Sequence, residues 1–439
     1  MTRFCRILHA LTLGGLLLPS ALATNPLITD QFTADPTARV FDGRIYVYPS
    51  HDIPYRPGKG RTNWFVMEDY HVFSSANLTD WTDHGVILNQ TNVPWLTRQA
   101  YDMWAPDCVS KNGKYYFYFP AGGRIGVAIA DKPYGPFTPE ARPIEGARGI
   151  DPAVLLDQDG SAYLFSSLNR ILVARLKDNL LELDSPVQTI TNLPQKGLIE
   201  GPFVFARKGI YYLTYPHVQN KIERLEYATS AHPLGPYEWK GVILDESASG
   251  CWTVHHSIVE FQGQWYLFYH DRDLSPQFDK NRAIRADLLS FNEDGTIQKV
   301  IPTLRGVGIV PADREVQIDR YSAVSPEGTE VSFLDETNRF AGWKISLQAT
   351  NSWVQFNDVE FGKRNWQSVK LRCASATGGA VEIRLDDRAG PPLARAERGR
   401  GSDWQVVQCP LARVPAGRHN LIVSLPAGHE IELDWVRFE

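Results

Sequence analysis

The sequence predicts an all-β protein in which a five-bladed β-propeller is followed by a β-sandwich. The first observation is a unit, found five times, that joins a short strand through a turn ending in glycine to an aromatic strand. Such turns between alternating strands are hairpin signals. From the second unit onward the repeat is roughly 45–55 residues, the range of propeller blades and solenoids. The second observation is a change near residue 315, after which Arg, Ala and Gly dominate instead of Tyr.

Each repeated unit is expected to form one blade of the propeller. The five aromatic strands fall at residues 44–48, 114–119, 161–165, 210–215 and 264–269. Five radial blades bring their innermost strands together at the axis, so equivalent polar residues of different blades would meet in one funnel. The phrase Asp-Lys-Pro-Tyr-Gly-Pro at 131–136 returns in part at 231–236. This internal echo supports repeated blades over an unrelated series of hairpins.

The first 23 residues have the features of a secretory signal peptide. Arg3 and Arg6 precede an apolar run at 7–18, and Ala21-Leu22-Ala23 offers a small-residue cleavage site. The alternative is a buried N-terminal helix. No later stretch approaches the roughly 18 uninterrupted apolar residues of a membrane span. We therefore expect a soluble mature protein that is exported, either to the periplasm or out of the cell.

Length and composition indicate two domains and a partner other than nucleic acid. The 439 residues exceed the roughly 250–300 at which single cores stop growing, and we expect the propeller at 24–315 and the sandwich at 316–439. The net charge is −5 without a long basic run, which argues against nucleic acid. The 12 Trp and 18 Tyr fit a carbohydrate ligand and an aromatic sheet core equally well.

The C-terminal part is predicted to be a β-sandwich because short strands alternate with turn signals. These strands are expected at residues 353–356, 368–372, 380–385, 405–408, 420–424 and 431–435. After loss of the signal peptide four cysteines remain, an even count in an oxidising compartment. Cys373 and Cys409 lie on expected strands of this part and could form a bridge. The cysteine spacings match no zinc motif.

Three carboxylates open their units in the same way: Asp35, Asp151 and Glu200. Glycoside hydrolysis needs one group that protonates the leaving oxygen and another that activates water or attacks carbon. A third carboxylate can tune the proton donor, because like charges at close range raise each other's pKa. Glu200 suits the acid role through its longer reach and apolar neighbours. The alternative for a single residue is that Asp-Pro and Glu-Gly-Pro merely initiate turns, but three in register with a repeat favour a shared site.

These motifs resemble glycoside hydrolase family 43 over about residues 25–305. The matching phrases are Thr33-Ala-Asp-Pro36, Trp104-Ala-Pro-Asp107, Ile150-Asp-Pro-Ala153, Glu200-Gly-Pro202 and His255-His-Ser-Ile258. The resemblance implies a five-bladed propeller and single-displacement hydrolysis with inversion. It also implies that Asp35 is the general base, Asp151 the pKa modulator and orienting carboxylate, and Glu200 the general acid. By the same resemblance Arg282 supports the modulator at the sugar subsite, and Trp104 forms part of the wall of the terminal sugar site.

The resemblance further implies a structural calcium ion in the propeller channel beside His255 and no organic cofactor. Val254 stands where many members have Gly, so either His255 or His256 could face the axis. The tail resembles a family 6 carbohydrate-binding module in 351–362 and 433–438, with Trp404 at the place of a sugar-binding aromatic. Glu432 and Leu433 occupy the stretch where such modules usually carry Asn, so a purely structural sandwich is the alternative.

The predicted function is an inverting exo-glycosidase that releases terminal α-L-arabinofuranosyl or β-D-xylosyl residues from hemicellulose, namely arabinan, arabinoxylan and xylo-oligosaccharides. Alternatives within the family are an exo-β-galactosidase and an endo-xylanase. Alternatives outside it are a non-catalytic carbohydrate-binding propeller and a retaining sucrase-type enzyme, which needs Asn where Ala34 precedes Asp35. Direct attack by water predicts carboxyl groups roughly 6.5–9.5 Å apart, against about 5–5.5 Å for a retaining pair. We also expect Asp151 to lie nearer Glu200 than Asp35 and to keep Glu200 protonated.

Overall fold

The computed structural model describes residues 25–194, 196–426 and 430–439. Within these ranges the chain consists of strands, and the helical pieces are two short 3-10 turns, Gln90–Asn92 and Arg339–Ala341. The all-β prediction is therefore confirmed. Among the described residues no helix has the length and apolar character needed to cross a membrane. The predicted signal peptide at 1–23 lies outside the described residues.

The first part of the chain forms five antiparallel sheets, and in each of them the strands pair in chain order. The sheets contain β1–β4, β5–β8, β9–β12, β13–β16 and β17–β19. The strands are β1 (Ala34–Phe41), β2 (Arg44–Ser50), β3 (Asp69–Ser75), β4 (Thr82–Asn89), β5 (Asp107–Lys111), β6 (Lys114–Ala121), β7 (Arg124–Ala130), β8 (Thr138–Pro139), β9 (Ile150–Leu156), β10 (Ala162–Ser167), β11 (Ile171–Leu176), β12 (Gln188–Thr189), β13 (Phe203–Arg207), β14 (Ile210–Val218), β15 (Glu223–Ser230), β16 (Glu238–Leu244), β17 (His256–Phe261), β18 (Gln264–Asp271) and β19 (Ala283–Leu289).

Two-residue hairpins ending in glycine join the first and second strands of four of the five sheets. Both turn residues have positive φ, for example 50° at Asp42 and 73° at Gly43, as a type I′ turn requires. The third sheet differs, because β9 ends at Leu156 and β10 begins at Ala162. Its predicted turn therefore lies within a longer connection.

The first strands of the five sheets contact one another in a closed cycle. Strand β1 contacts β5, β5 contacts β9, β9 contacts β13, β13 contacts β17, and β17 contacts β1. Five hydrophobic clusters fill the spaces between consecutive sheets, including that between the fifth and the first. Each cluster holds an almost fully buried aromatic ring. In order from the space between the first and second sheets to that between the fifth and first, these rings are Phe117, Tyr118, Phe165, Tyr269 and Phe73. Burial of a ring of this size contributes roughly 1.5–3 kcal/mol.

The segment before β1 closes the cycle by running along the last strand of the fifth sheet. The Leu27 N–H donates to the Ile284 carbonyl at 2.8 Å, and the Thr33 N–H donates to the Arg282 carbonyl at 2.9 Å. This pairing holds Arg282 beside the start of β1, where Asp35 lies.

The C-terminal part forms two six-stranded sheets that enclose one apolar core. One sheet has the order β20-β25-β30-β27-β28 with β22 on β25, and the other has the order β23-β24-β31-β26-β29 with β21 on β31. The strands are β20 (Val310–Pro311), β21 (Val316–Gln317), β22 (Ala323–Val324), β23 (Thr329–Phe333), β24 (Trp343–Leu347), β25 (Trp353–Glu360), β26 (Ser368–Ser375), β27 (Gly379–Leu385), β28 (Ala394–Arg398), β29 (Gly401–Pro410), β30 (Arg418–Ser424) and β31 (Ile431–Phe438).

The four cysteines of the described chain are all free. On the paired strands β26 and β29, Cys373 lies opposite Gln405, whereas Cys409 lies opposite Val369. The two cysteines are four register positions apart, so their Cα atoms are separated by roughly 13 Å at about 3.3 Å per residue. A disulfide needs Cα atoms within about 7 Å, so the bridge considered from the sequence does not form.

Candidate active site

The six residues singled out in the sequence all line one cavity of about 110 Å³: Asp35, Trp104, Asp151, Glu200, His255 and Arg282. They come from all five sheets or from the loops that precede their strands. The closed cycle of first strands explains this convergence, because each sheet presents the start of its first strand to the same region.

Asp35 and Asp151 are held in the same unusual backbone conformation. Each is the second residue of the first strand of its sheet and precedes a proline, and their φ angles are 47° and 54°. Asp is among the few residues that tolerate this left-handed region. Pairing with the neighbouring strand is irregular at both positions. The repeated irregularity turns both carboxyl groups out of their sheets and into the cavity.

Asp35 is a buried carboxylate held by donors on all sides. The Arg282 guanidinium donates to its two oxygens at 2.8 and 3.1 Å, and the Ser50 hydroxyl donates at 2.6 Å. Its backbone N–H donates to Nδ1 of His270 at 3.0 Å. Burial raises the pKa of Asp35, but the Arg282 charge, with His270, His255 and Ser50, outweighs burial and lowers this pKa to about 2. Asp35 is therefore ionised at any ordinary pH.

Arg282 binds Asp35 and a further buried carboxylate, Asp52. Its side chain donates to the two oxygens of Asp52 at 2.9 and 3.0 Å, and its backbone N–H donates to Asp52 at 2.8 Å. We expected Arg282 to support Asp151, and this expectation is wrong. The guanidinium pairs with Asp35 and Asp52 instead. Asp52 was not predicted as a site residue, and it lies just after the end of β2.

Asp151 is buried and weakly stabilised as an anion. The Ser167 hydroxyl donates to it at 2.8 Å and the Gly201 N–H at 3.1 Å. Burial raises the pKa of Asp151 to about 7, with Glu200 adding to the rise and His255 opposing it. Asp151 thus lies next to the Glu200 segment and has no cation bound to its oxygens among the described ion pairs.

The surroundings of Glu200 favour its protonated form at neutral pH. Burial raises its pKa to about 9, and Glu223 makes the next largest contribution through its charge and a hydrogen bond. The neighbouring Gly201 has a φ of 53°, and a Cβ there would lie 2.8 Å from Nδ1 of His255. The Glu-Gly-Pro sequence therefore lets the chain pass His255 closely while it presents Glu200 to the cavity.

Glu223 lines the same cavity and is a residue that sequence reasoning missed. It begins β15 and is 2% exposed. Burial raises its pKa to about 7. The expectation that Asp151 keeps Glu200 protonated thus needs correction, because Glu223 is the carboxyl group that acts most on Glu200. The sequence signal was weak: Glu223 lies in the third strand of its unit rather than at the start of the first.

Aromatic rings form the wall of the cavity. Trp104, Trp64, Phe65 and Trp252 all line it, and the Phe65 and Trp252 rings stack with centroids 6.2 Å apart and planes at 24°. The Tyr70 hydroxyl fixes Trp104 by donating to its carbonyl at 2.7 Å. Flat apolar walls with a few convergent polar groups are typical of small-molecule sites, and the apolar faces of sugar rings fit such walls.

His255, rather than His256, faces the cavity. His256 is fully buried in its sheet, with Nε2 2.6 Å from the Thr214 hydroxyl. Among the described residues, three or more His, Cys, Asp or Glu ligand atoms cluster within 4.8 Å only at His51, Asp69 and His71. Calcium prefers six to eight oxygen ligands. Among the described residues, the side chains around His255 therefore offer fewer than three clustered ligand atoms of these types, and a calcium ion there would need water or backbone oxygens as further ligands.

In the C-terminal sheets, Trp404 has one face covered. The Arg372 guanidinium lies 5.0 Å from its ring centroid and also pairs with Asp434. Glu432, in the stretch where Asn was expected, accepts a hydrogen bond from Lys344. These contacts leave sugar binding at Trp404 a prediction.

Comparison with known proteins identifies relatives of both parts. Residues 23–297 match the family described as Glycosyl hydrolases family 43, and residues 322–439 match Carbohydrate binding module (family 6). Xylosidase/arabinosidase 43A of Humicola insolens is 38% identical over 329 residues, which cover 62% of this chain and 98% of that protein.

Two solved structures are similar in fold and sequence. A family 43 β-xylosidase/α-arabinofuranosidase from a compost microbial metagenome, in a calcium-free complex with xylotriose, has 38% identity and a TM-score of 0.58, covering 64% of this chain and 98% of its own. An arabinoxylan arabinofuranohydrolase from Bacillus subtilis, in complex with cellotetraose, has 25% identity and a TM-score of 0.57, covering 96% of this chain and 99% of its own.

Proposed function

Because the chain belongs to family 43 of the glycosyl hydrolases, with a family 6 carbohydrate-binding module at its C-terminus, we propose that it is an inverting exo-glycosidase. Its substrates are terminal α-L-arabinofuranosyl and β-D-xylosyl residues of hemicellulose. The observation that carries this proposal is the opposite tuning of two carboxyl groups in one cavity: the pKa of Asp35 falls to about 2 and that of Glu200 rises to about 9. Such a split supports Asp35 as the base and Glu200 as the acid.

In the proposed reaction, Asp35 takes a proton from a water molecule while the oxygen of that water attacks the anomeric carbon. At the same time Glu200 gives its proton to the glycosidic oxygen, the bond between this oxygen and the anomeric carbon breaks, and the leaving sugar departs as an alcohol. Because water attacks from the face opposite the leaving group, the anomeric configuration inverts. Arg282 holds Asp35 in its ionised form and correct orientation through two hydrogen bonds.

Asp151 suits a role in orienting the sugar, and its carboxyl group adds a further acidic group to the cavity that holds Asp35 and Glu200. Its carboxyl group is fixed by Ser167 and by the backbone of Gly201, the residue after the proposed acid. Through this backbone contact Asp151 also helps to set the position of Glu200.

The size of the cavity supports exo action. Its volume of about 110 Å³ is well below the roughly 300–1,000 Å³ of pockets that hold drug-sized ligands. A space of this size suits one sugar ring, whereas an endo-acting enzyme needs an open cleft for several consecutive rings.

The sheets support a five-bladed propeller as the catalytic domain, since five meander sheets contact one another in a closed cycle. We propose that this domain begins near residue 24 and that the β-sandwich begins a few residues before the expected boundary at 315, because β20 (Val310–Pro311) already pairs with β25 of the sandwich. Export of the mature protein follows from the predicted signal peptide, and plant cell-wall polysaccharide is the partner. A calcium ion remains a proposal for the channel beside His255, and the hydrolytic steps above are carried by protein side chains.

The experiment that tests this function is a panel of aryl α-L-arabinofuranosides, β-D-xylosides and β-D-galactosides with the purified protein. Turnover of the first two, lost in Asp35→Asn, is the expected result. Turnover of galactosides alone would change the assigned sugar. No turnover of any glycoside by a folded protein would favour the non-catalytic binding propeller.

A further inference from the structure

We propose that Glu223 is a positioning residue that shares one proton with Glu200 and so keeps the general acid loaded between turnovers. This inference rests on the proposed function, in which Glu200 donates to the leaving oxygen. It assigns to a fourth carboxyl group the task expected of Asp151.

Glu223 is held rigidly beside the acid. Its backbone N–H donates to the Trp252 carbonyl at 3.0 Å, and one of its carboxyl oxygens accepts from the Val254 N–H at 2.8 Å. The side chain is buried and faces the cavity. These contacts fix one oxygen on the backbone and leave the other, Oε1, for Glu200.

The proton must lie between the two carboxyl groups. Among the described residues Oε1 of Glu223 has no conventional hydrogen-bond donor, while Glu200 and Glu223 are in hydrogen-bond contact. Two ionised carboxylates repel and both accept, so they can make this contact only when one of them carries a proton. Between the pKa values of the two groups the pair therefore holds one proton, which titrates as a property of both groups.

The surrounding charges favour keeping this proton. Asp35 and Asp151 act on Glu223 as further negative charges, and both raise its pKa. The Arg282 guanidinium lowers the pKa of Glu200, but less than Glu223 raises it, and its ion pairs are with Asp35 and Asp52. His255 lines the same cavity and opposes the rise at Asp151. No cation pairs with Glu223 among the described ion pairs.

In the reaction, the proton leaves Glu200 for the glycosidic oxygen and the two carboxylates are briefly both ionised. Their repulsion at close range makes recovery of one proton from solvent favourable. Asp35 releases to solvent the proton that it took from the attacking water, so the two transfers balance. Glu223 touches neither the sugar carbon nor the leaving oxygen in this scheme. It acts through Glu200.

The test is the pH dependence of kcat/KM for Glu223→Gln on an unactivated xylo-oligosaccharide. Removing the negative charge lowers the pKa of Glu200, so the basic limb of the profile should move down by at least about one pH unit, a loss of roughly tenfold above the new limb. On an aryl glycoside with a strongly acidic leaving group, which needs little protonation, the rates should stay close to wild type. Glu223→Asp, which keeps the charge, should retain a basic limb nearer to that of wild type.

A matched control is Glu226→Gln, a buried glutamate on the same strand that pairs with His217 and Arg224 away from the cavity. It should leave the basic limb unmoved, and thermal unfolding checks that each variant folds. An unshifted limb in Glu223→Gln, or an equal loss at every pH and on both substrates, would overturn the inference. Failure of the proposed function itself would be seen separately, as an inactive wild-type protein or an Asp35→Asn variant with normal turnover.

Discussion

Replacing Arg282 by glutamine should move the acid limb of the pH–rate profile and destabilise the protein. The variant loses the hydrogen bonds of the guanidinium, including two to Asp35, two to Asp52 and one to the Thr253 hydroxyl. In the wild type, Arg282 is the main influence that holds the pKa of Asp35 at about 2 against burial. This value lies nearly two pH units below 3.8, which corresponds to roughly 2–3 kcal/mol.

Without the guanidinium, burial should dominate and raise the pKa of Asp35 above 3.8. The acid limb should therefore rise by at least about two pH units, because the protonated base cannot activate water. The sign for stability follows from linkage. In the wild type, ionised Asp35 stabilises the fold above about pH 4, and this contribution is lost as the pH falls toward 2. In the variant, ionised Asp35 has lost its cation and destabilises the fold. The difference in unfolding free energy between wild type and variant should therefore be larger at pH 7 than at pH 3.

The total loss of stability at pH 7 should be about 3–5 kcal/mol, the usual effect of leaving a buried charge without its partner. The assay uses an aryl glycoside with a good leaving group, so that acid catalysis does not shape the profile, together with denaturant unfolding at both pH values. Arg285→Gln is the matched control, since Arg285 is also buried, lies on β19 and pairs with Asp273. It should lose stability without moving the acid limb. An Arg282→Gln variant with a wild-type acid limb would refute this reasoning.

Three further predictions follow from the same cavity. Asp35→Asn should lower kcat by roughly 10²–10⁴ on all glycosides with an unchanged fold by circular dichroism, and a near-normal rate would contradict its role as base. Glu200→Gln should lose a similar factor on natural oligosaccharides but much less on dinitrophenyl glycosides, and equal losses on both would remove it from the acid role. Gly201→Ala should cost at least about 1 kcal/mol of stability by denaturant unfolding, because its φ is 53° and the new Cβ meets His255, and a neutral effect would show that this close approach is not required.

The repeated turns made the sheets predictable, because the Xaa-Gly hairpins and aromatic strands are local features. The third unit departed from the pattern only in the length of its connection, from Asp157 to Ser161. The carboxylates that open first strands were also visible, since their position in each unit was the same. Asp35, Asp151 and Glu200 accordingly lie in one cavity.

The partners of these carboxylates were not predictable in the same way. Asp52 follows β2 and meets Arg282, 230 residues away in sequence, so the pair exists only once the first and fifth sheets are in contact. Glu223 lies in a third strand, and nothing local distinguishes it from an ordinary charged strand end. The choice between His255 and His256 depended on where β17 begins, because successive side chains of a strand point to opposite faces.

The central claim is that water activated by Asp35 attacks the anomeric carbon directly while Glu200 protonates the leaving oxygen. Proton NMR during turnover of an aryl or oligomeric β-xyloside tests it most directly, by recording the anomeric proton of the first-formed sugar before mutarotation. The account predicts that the α-anomer of xylose appears first and then equilibrates. First appearance of the β-anomer would mean retention through a covalent intermediate, and it would contradict the mechanism even if the enzyme were fully active.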